Sequence, residues 1–209
     1  RKLHIDSIQS FRGVSIKSEC NPNLTELILR SSTLEAFQPE QFMTNWPASV
    51  EIMEIFDCTG IDKLNVSSER MQELKLFMCT DVEELKVESG SLKKMSVDVC
   101  LQLRKSELHC DNLVDCKWFT MNQTQPPIMD TLSLKSKSLE SLSLPKCVNL
   151  REVQLDCEEL ISINMSECKV LEALSCHCPK LQKLALSAPR INFTPHLVND
   201  LALNCPEGN

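Results

Sequence analysis

Tyrosine is absent, aromatic residues make up 4% of the chain, and only four of its 209 residues are glycine. So few glycines leave no Gly-rich loop to cradle a phosphate, which removes the commonest nucleotide-binding motifs. Basic residues are outnumbered, 22 against 29 acidic, for a net charge of −7. No basic stripe is interleaved with aromatics, so nucleic acid is not an expected partner. Lys93-Lys94 and Arg104-Lys105 are local exceptions, expected to face Glu73 and Glu83-Glu84 across neighbouring segments of chain. No apolar run approaches the ~18 residues of a spanning helix, so a membrane is not an expected partner either. The four histidines, His4, His109, His177 and His196, lie far apart with no nucleophile motif around them. His109 does adjoin Cys110, but neighbours on a strand point to opposite faces and cannot form a dyad. No catalytic residue and no cofactor are expected, and the chain is not read as an enzyme.

Cysteine, by contrast, is abundant: there are 12, and several recur at a fixed step. Cys58, Cys79 and Cys100 are evenly spaced, and the same step separates Cys147 from Cys168. Each closes the same apolar frame: Val50, Met53, Ile55 before Cys58; Met71, Leu74, Leu76 before Cys79; Leu92, Met95, Val97 before Cys100. Leu139, Leu142, Leu144 precede Cys147, and Leu160, Ile163, Met165 precede Cys168. An offset series runs between them, with Ile61, Leu64, Val66; Val82, Leu85, Val87; Met129, Leu132, Leu134; Leu150, Val153, Leu155; and Leu171, Leu174, Cys176. The first series leads to the second in steps of 11, as from Met53 to Leu64, and the second leads back to the first in steps of 10, as from Leu64 to Leu74.

A strand rises ~3.3 Å per residue and needs ~5 residues, so two strands and two tight turns fill a 21-residue coil with no room for a full helix. The spacing therefore predicts a flattened solenoid with parallel strands on both sides, phased from about residue 50 to 186. Roughly six apolar side chains turn inward per coil, at ~1.5–3 kcal/mol apiece, and only stacking against neighbours encloses them.

The rhythm breaks in three places. In QPEQFMTNWPAS, Phe42 and Trp46 stand at helical spacing before Pro47, which predicts a short helix at about 38–46. Thr194 and Pro195 suit an N-cap and first turn, predicting a second helix at about 195–204. Between Trp118 and Met129 a loop at 119–128 replaces a tight turn, and Pro126-Pro127 keeps it out of either sheet. No linker divides the chain, so residues 1–209 read as a single solenoid, expected to be a piece of a longer protein.

The cysteines pose a choice between metal or disulfide chemistry and a structural ladder. Coils stack ~4.8 Å apart, so any residue repeated at the coil period forms a column, and a small buried thiol can satisfy turn backbone. Cys176, His177 and Cys178 with Cys157 and Cys168 make the densest cluster, but alternate strand positions point apart, which opposes a tetrahedral metal set. Reduced structural cysteine is the expectation at Cys58, Cys79, Cys100, Cys147 and Cys168.

The strand frame followed by C-x-x-L, with LALNCP after the terminal helix pattern, resembles the cysteine-containing leucine-rich repeats of F-box proteins. It covers residues 50–186 by periodicity and 194–206 by the helix pattern. That resemblance implies a leucine-rich repeat solenoid of the α/β class and a non-catalytic role in capturing proteins for ubiquitination. Typical members carry a convex helix and ~26 residues per coil, whereas the coils here have a second strand. The shorter form is similar to plant F-box repeat proteins and to the leucine-rich region of plant nucleotide-binding immune receptors, where the same sheet would sense a pathogen protein.

Such repeats place the first strand series on the concave sheet. Its outward positions in the first half are charged: Glu51 and Glu54, Glu73 and Lys75, Lys93 and Lys94, Asp115 and Lys117. Beyond them lies a nearly uncharged tract that includes Ser141, Ser143, Ser162 and Asn164. The first group is the expected binding face for a protein or peptide partner. Reduced cysteine columns point to the cytoplasm or nucleus. Five N-x-S/T sequons, at Asn23, Asn65, Asn122, Asn164 and Asn192, raise the alternative of an extracellular repeat protein, although several lie inside strands of a serine-rich chain.

Overall fold

The computed structural model describes residues 1–7, 23–32, 49–118, 127–144 and 146–187, and the backbone of 192–193. Strands β1 (Lys2–Asp6), β2 (Glu26–Arg30) and β3 (Ile52–Phe56) open the chain. Then come β4 (Lys63–Ser67), β5 (Glu73–Phe77), β6 (Glu84–Glu88), β7 (Lys94–Asp98), β8 (Lys105–His109) and β9 (Asp115–Trp118). Past residue 130 follow β10 (Thr131–Ser136), β11 (Ser141–Ser143), β12 (Glu152–Cys157) and β13 (Ser162–Met165). The described strands end with β14 (Ala173–His177), β15 (Lys183–Leu186) and β16 (Asn192–Phe193).

These strands form a parallel solenoid. A front sheet runs β1-β2-β3-β5-β7-β9, a back sheet runs β4-β6-β8-β10-β12-β14-β16, and a second, smaller front sheet runs β11-β13-β15. On the front the register advances by one coil at a time, from Ile52 to Glu73, Lys94 and Asp115. On the back the same step leads from Lys63 to Glu84 and Lys105, a longer one reaches Thr131, and the regular step resumes to Glu152 and Ala173. Among the described residues there is no helix. The helices expected at 38–46 and 195–204 lie outside the described residues, as does 119–126 of the expected loop.

That longer step marks a division the repeat pattern alone does not announce. The back sheet absorbs the extra chain between β9 and β10 and continues in register, whereas the front does not: β11 lies beside β9 without joining its hydrogen bonds. The first strand series is therefore two sheets rather than one.

Turns on the two faces follow a fixed grammar. Before each strand, one corner carbonyl accepts two N–H donors from the next coil: Glu51 O from Gln72 and Glu73 at 2.7 and 3.1 Å, Gln72 O from Lys93 and Lys94 at 2.9 and 3.0 Å. On the back, Asp62, Glu83, Arg104, Asp130 and Arg151 carbonyls each do the same. After β1, β2, β3, β5 and β7 the chain enters the left-handed region at Ser7, Ser31, Asp57, Met78 and Val99, and again past β11 at Lys146. Val99, at φ 54°, is a β-branched residue in a conformation that normally favours glycine or asparagine. The amides of Ser7, Ser31, Asp57 and Met78 then donate to the last residue of the neighbouring front strand, extending the ladder through the bend.

Between the sheets lies one apolar core in columns. Met53, Leu74 and Met95 stack with Cys116 from the front, and Leu64, Leu85, Leu132, Val153 and Leu174 from the back, all buried. Ser106 interrupts the back column: fully buried, its hydroxyl finds no hydrogen-bond partner among the described residues. This serine hides β8 from a search for leucine frames, although Leu103 and Leu108 keep the frame on either side. In the same part of the molecule Trp118 fills the column above Val97 and is buried.

Candidate recognition surface

Because alternate residues of a strand face away from the core, the register aligns outward side chains into columns ~4.8 Å apart. The first outward column of the front sheet reads Lys2, Glu26, Ile52, Glu73, Lys94, Asp115, and the second His4, Ile28, Glu54, Lys75, Ser96, Lys117. A third reads Asp6, Arg30, Phe56, Phe77, Asp98. Six of the eight residues expected to bind a partner, Glu54, Glu73, Lys75, Lys94, Asp115 and Lys117, thus come together on one face. Glu51 and Lys93 sit at the corner where that face begins, and their carbonyls hold the turns.

Five of the six line a depression of about 260 Å³ across β5, β7 and β9, with Ser96 beside them. Ion pairs tie most of the charges down. Lys75 Nζ lies 2.8 Å from Glu54 and 3.1 Å from Glu73, and Lys117 Nζ lies 3.0 Å from Asp115. The Glu54 carboxylate, foremost, holds the Lys75 ammonium above the ordinary lysine range. These groups are partly exposed, so the pairs contribute little to stability and act chiefly to fix the charge pattern.

An aromatic element joins this surface that charge patterning does not reveal. Phe56 and Phe77 stack with ring centroids 4.8 Å apart and planes 10° from parallel, and the Arg30 guanidinium sits 5.9 Å from the Phe56 centroid. Phe56 is 39% exposed and the neighbouring Met78 37%, in a chain with few aromatics. The signal is present in the sequence: the two phenylalanines lie one coil apart at outward positions.

The back sheet offers a broader depression, about 520 Å³, across β8, β10, β12 and β14. Thr131, Ser133, Gln154 and Ser175 line it together with Lys105, Glu107 and Glu152, over a floor that is more apolar than polar. Lys105 pairs with Glu107 at 2.7 Å.

Eight of the ten described cysteines lie at the corners rather than on these faces, in two ladders instead of one, while Cys116 and Cys176 occupy strand positions of β9 and β14. On the front side Ser32, Cys58, Cys79 and Cys100 occupy one column, followed in the small sheet by Cys147 and Cys168. On the back side Ser68, Ser89, Cys110, Ser136, Cys157 and Cys178 occupy another. Every one of these positions is buried. Their donors meet strand-end carbonyls: Ser32 Oγ reaches Arg30 O at 2.7 Å and Cys58 Sγ reaches Phe56 O at 3.4 Å, the same contact in adjacent coils. Cys79 Sγ reaches Ile55 O of the preceding coil at 3.4 Å, whereas Ser136 Oγ reaches a turn carbonyl, Leu113 O, at 3.1 Å. The serines also accept from the turn that follows, as Ser68 does from Met71 N at 3.1 Å.

Ten cysteines are described, all as free thiols, and only Cys176 among them is partly exposed. Burial pushes the Cys58 thiol up to about 11, and those of Cys110 and Cys168 to about 12. Cys79 is raised chiefly through its neighbour Cys100 and then by burial. Thiols held protonated in this way are poor nucleophiles and poor metal ligands. Among the described residues no group of three or more His, Cys, Asp or Glu is arranged to hold a metal. His177 is exposed whereas Cys178 is buried, and His109 is exposed whereas Cys110 is buried. Among the described residues no helix is long and apolar enough to cross a membrane.

No family model, no curated protein and no solved structure matches this chain.

Proposed function

We propose that this chain is a non-catalytic protein-recognition scaffold, the substrate-binding repeat region of an F-box-type ubiquitin ligase adaptor acting inside the cell. The observation that carries the reading is the division of labour within each coil. Corner and inward positions repeat from coil to coil, while the outward face of β3, β5, β7 and β9 changes from strand to strand and combines charge, a hydroxyl and a stacked aromatic pair. A surface of that composition, aromatic and charged without deep enclosure, suits a protein or peptide rather than a metabolite.

The cysteine that follows the strand and begins a C-x-x-L turn supports the F-box comparison. Leu103 N donates to Cys100 O at 3.2 Å and Leu150 N to Cys147 O at 3.2 Å, so the spacing follows from a tight turn. Two columns of adjacent thiols also favour a reducing compartment.

The test is capture of partners from the native source with charge-reversed protein. K93E/K94E is expected to lose the captured protein while thermal unfolding stays unchanged, because both lysines are exposed. Equal retention by the variant would move the binding face elsewhere. The parent protein's upstream sequence decides the class: an F-box there supports the adaptor, whereas a nucleotide-binding domain would make the chain the sensing region of an immune receptor.

A further inference from the structure

Five basic side chains are carried by the described strands of the front sheet: Lys2, Arg30, Lys75, Lys94 and Lys117. Four of them meet a carboxylate within 4.0 Å. Among the described residues Lys94 is the exception, and the register makes this unexpected, for its partners on either side are Glu73 and Asp115. The explanation lies in the strand sequences. Glu73-Leu-Lys75 and Asp115-Cys-Lys117 each place a lysine two positions from the acid, on the same face, so both acids are engaged within their own strands at 3.1 and 3.0 Å. Lys94-Met-Ser96 places a serine there instead. The middle strand of the depression therefore presents an ammonium and a hydroxyl between two strands whose acids are held by their own lysines. The residues lining the depression sum to one positive charge, while Glu54, outside the lining, also engages Lys75 and leaves Lys94 the cation without an acidic partner among the described residues.

We infer that this depression receives a carboxylate side chain of a protein partner, with Lys94 as its anchor and the Phe56–Phe77 stack as the seat for an apolar residue of the same segment. The inference rests on the recognition-scaffold reading and names the partner's chemistry. An ammonium can donate three hydrogen bonds and Ser96 one more, which matches the acceptor capacity of an Asp or Glu. A space of about 260 Å³ admits one such side chain rather than a folded element. Phe77 lies on β5 four positions beyond Glu73, the register partner of Lys94, or ~13 Å along the strand direction. An extended segment with an acidic residue and a bulky apolar residue four positions apart spans that distance.

The experiment is an NMR titration of the intact chain at low salt with a synthetic extended peptide carrying Glu and Leu four positions apart. Its Glu→Gln form and a form with phosphoserine in place of Glu serve as the other arms. The expected result is a set of shifts confined to Lys94, Ser96 and Phe77, weakened about tenfold by Glu→Gln in the peptide and by K94Q or K94E in the protein. K169E, the same charge change at an exposed turn, is expected to leave binding unaltered. Shifts spread over all surface lysines, equal loss in K94E and K169E, or a markedly tighter phosphoserine peptide would each overturn the carboxylate assignment. A natural partner held equally by wild type and K94E would also overturn it while leaving the scaffold reading standing; absence of any protein partner would overturn the scaffold reading itself.

Discussion

Replacing Cys79 separates a ladder that demands a small donor from one that merely fills space. Cys79 is buried between Cys58 and Cys100, and its thiol lies 3.4 Å from Ile55 O and 3.6 Å from Phe77 O. In Cys79→Ala the sulfur is lost, which removes a methylene-sized transfer gain of ~0.8 kcal/mol. A residual void adds ~0.5 kcal/mol, and the weak S–H···O contact another ~0.5 kcal/mol. The total is about 2 kcal/mol of destabilisation. Cys79→Ser keeps a donor where Ser32, in the same column, already makes a 2.7 Å bond, so its cost is expected below ~1 kcal/mol. Cys79→Val adds bulk between coils ~4.8 Å apart and supplies no donor, for a cost of ~2–3 kcal/mol. Urea unfolding followed by circular dichroism under reducing conditions reads the order Ser, Ala, Val as falling midpoints at constant slope. A serine variant as unstable as the valine variant would refute the donor requirement.

Two further outcomes follow from the corners. At Val99, where φ is 54°, Val99→Gly is expected to be more stable than Val99→Ala by ~1 kcal/mol, with the order reversed at Ser96 on the adjoining strand. The same glycine-to-alanine order at both sites in thermal unfolding would contradict the left-handed corner. Thiols are neutral when protonated, and burial raises Cys58 to about 11 and Cys110 and Cys168 to about 12 from an ordinary 9.0. Their contribution is therefore complete below pH 9 and is lost as pH rises toward the folded values, by up to ~1.4 kcal/mol per thiol per pH unit. Urea midpoints measured from pH 8 to 10 should fall, and fall less steeply in C58S/C110S; a flat profile would mean the thiols are accessible to water.

How far the sequence foretells this molecule can be seen coil by coil. The alternation of the two apolar series locates β3 to β7 and β10 to β15, because three apolar side chains per half-coil leave no other way to bury them. It loses β8, since Ser106 stands where a leucine is expected and only tertiary enclosure makes that serine inward. It also leaves open whether the front continues past Trp118, because strand pairing across an insertion depends on how the extra chain is accommodated in space.

For the recognition face, strand periodicity is enough to predict which side chains point outward. Pairing within a strand is not visible from column order alone: Glu73 and Asp115 look like natural partners for Lys94, yet Lys75 and Lys117 hold them. The cysteine ladder is half legible for a similar reason. Ser68, Ser89 and Ser136 share the column of Cys110, Cys157 and Cys178, and a count of cysteines passes over them: Ser68 and Ser89 accept amides of the following turn and Ser136 donates to a carbonyl.

The most direct test of the two-sided parallel solenoid is a map of backbone proton contacts by NMR. In-register parallel strands require amide-to-α-proton contacts between residues one full coil apart, linking Leu74 to Met53 and Met95 on the front and Leu85 to Leu64 on the back. Across the insertion the step must lengthen, joining Leu108 to Leu134. Contacts at those separations establish the coil; contacts instead between consecutive strands half a coil apart, as in hairpins of β3 with β4 or β5 with β6, would contradict it.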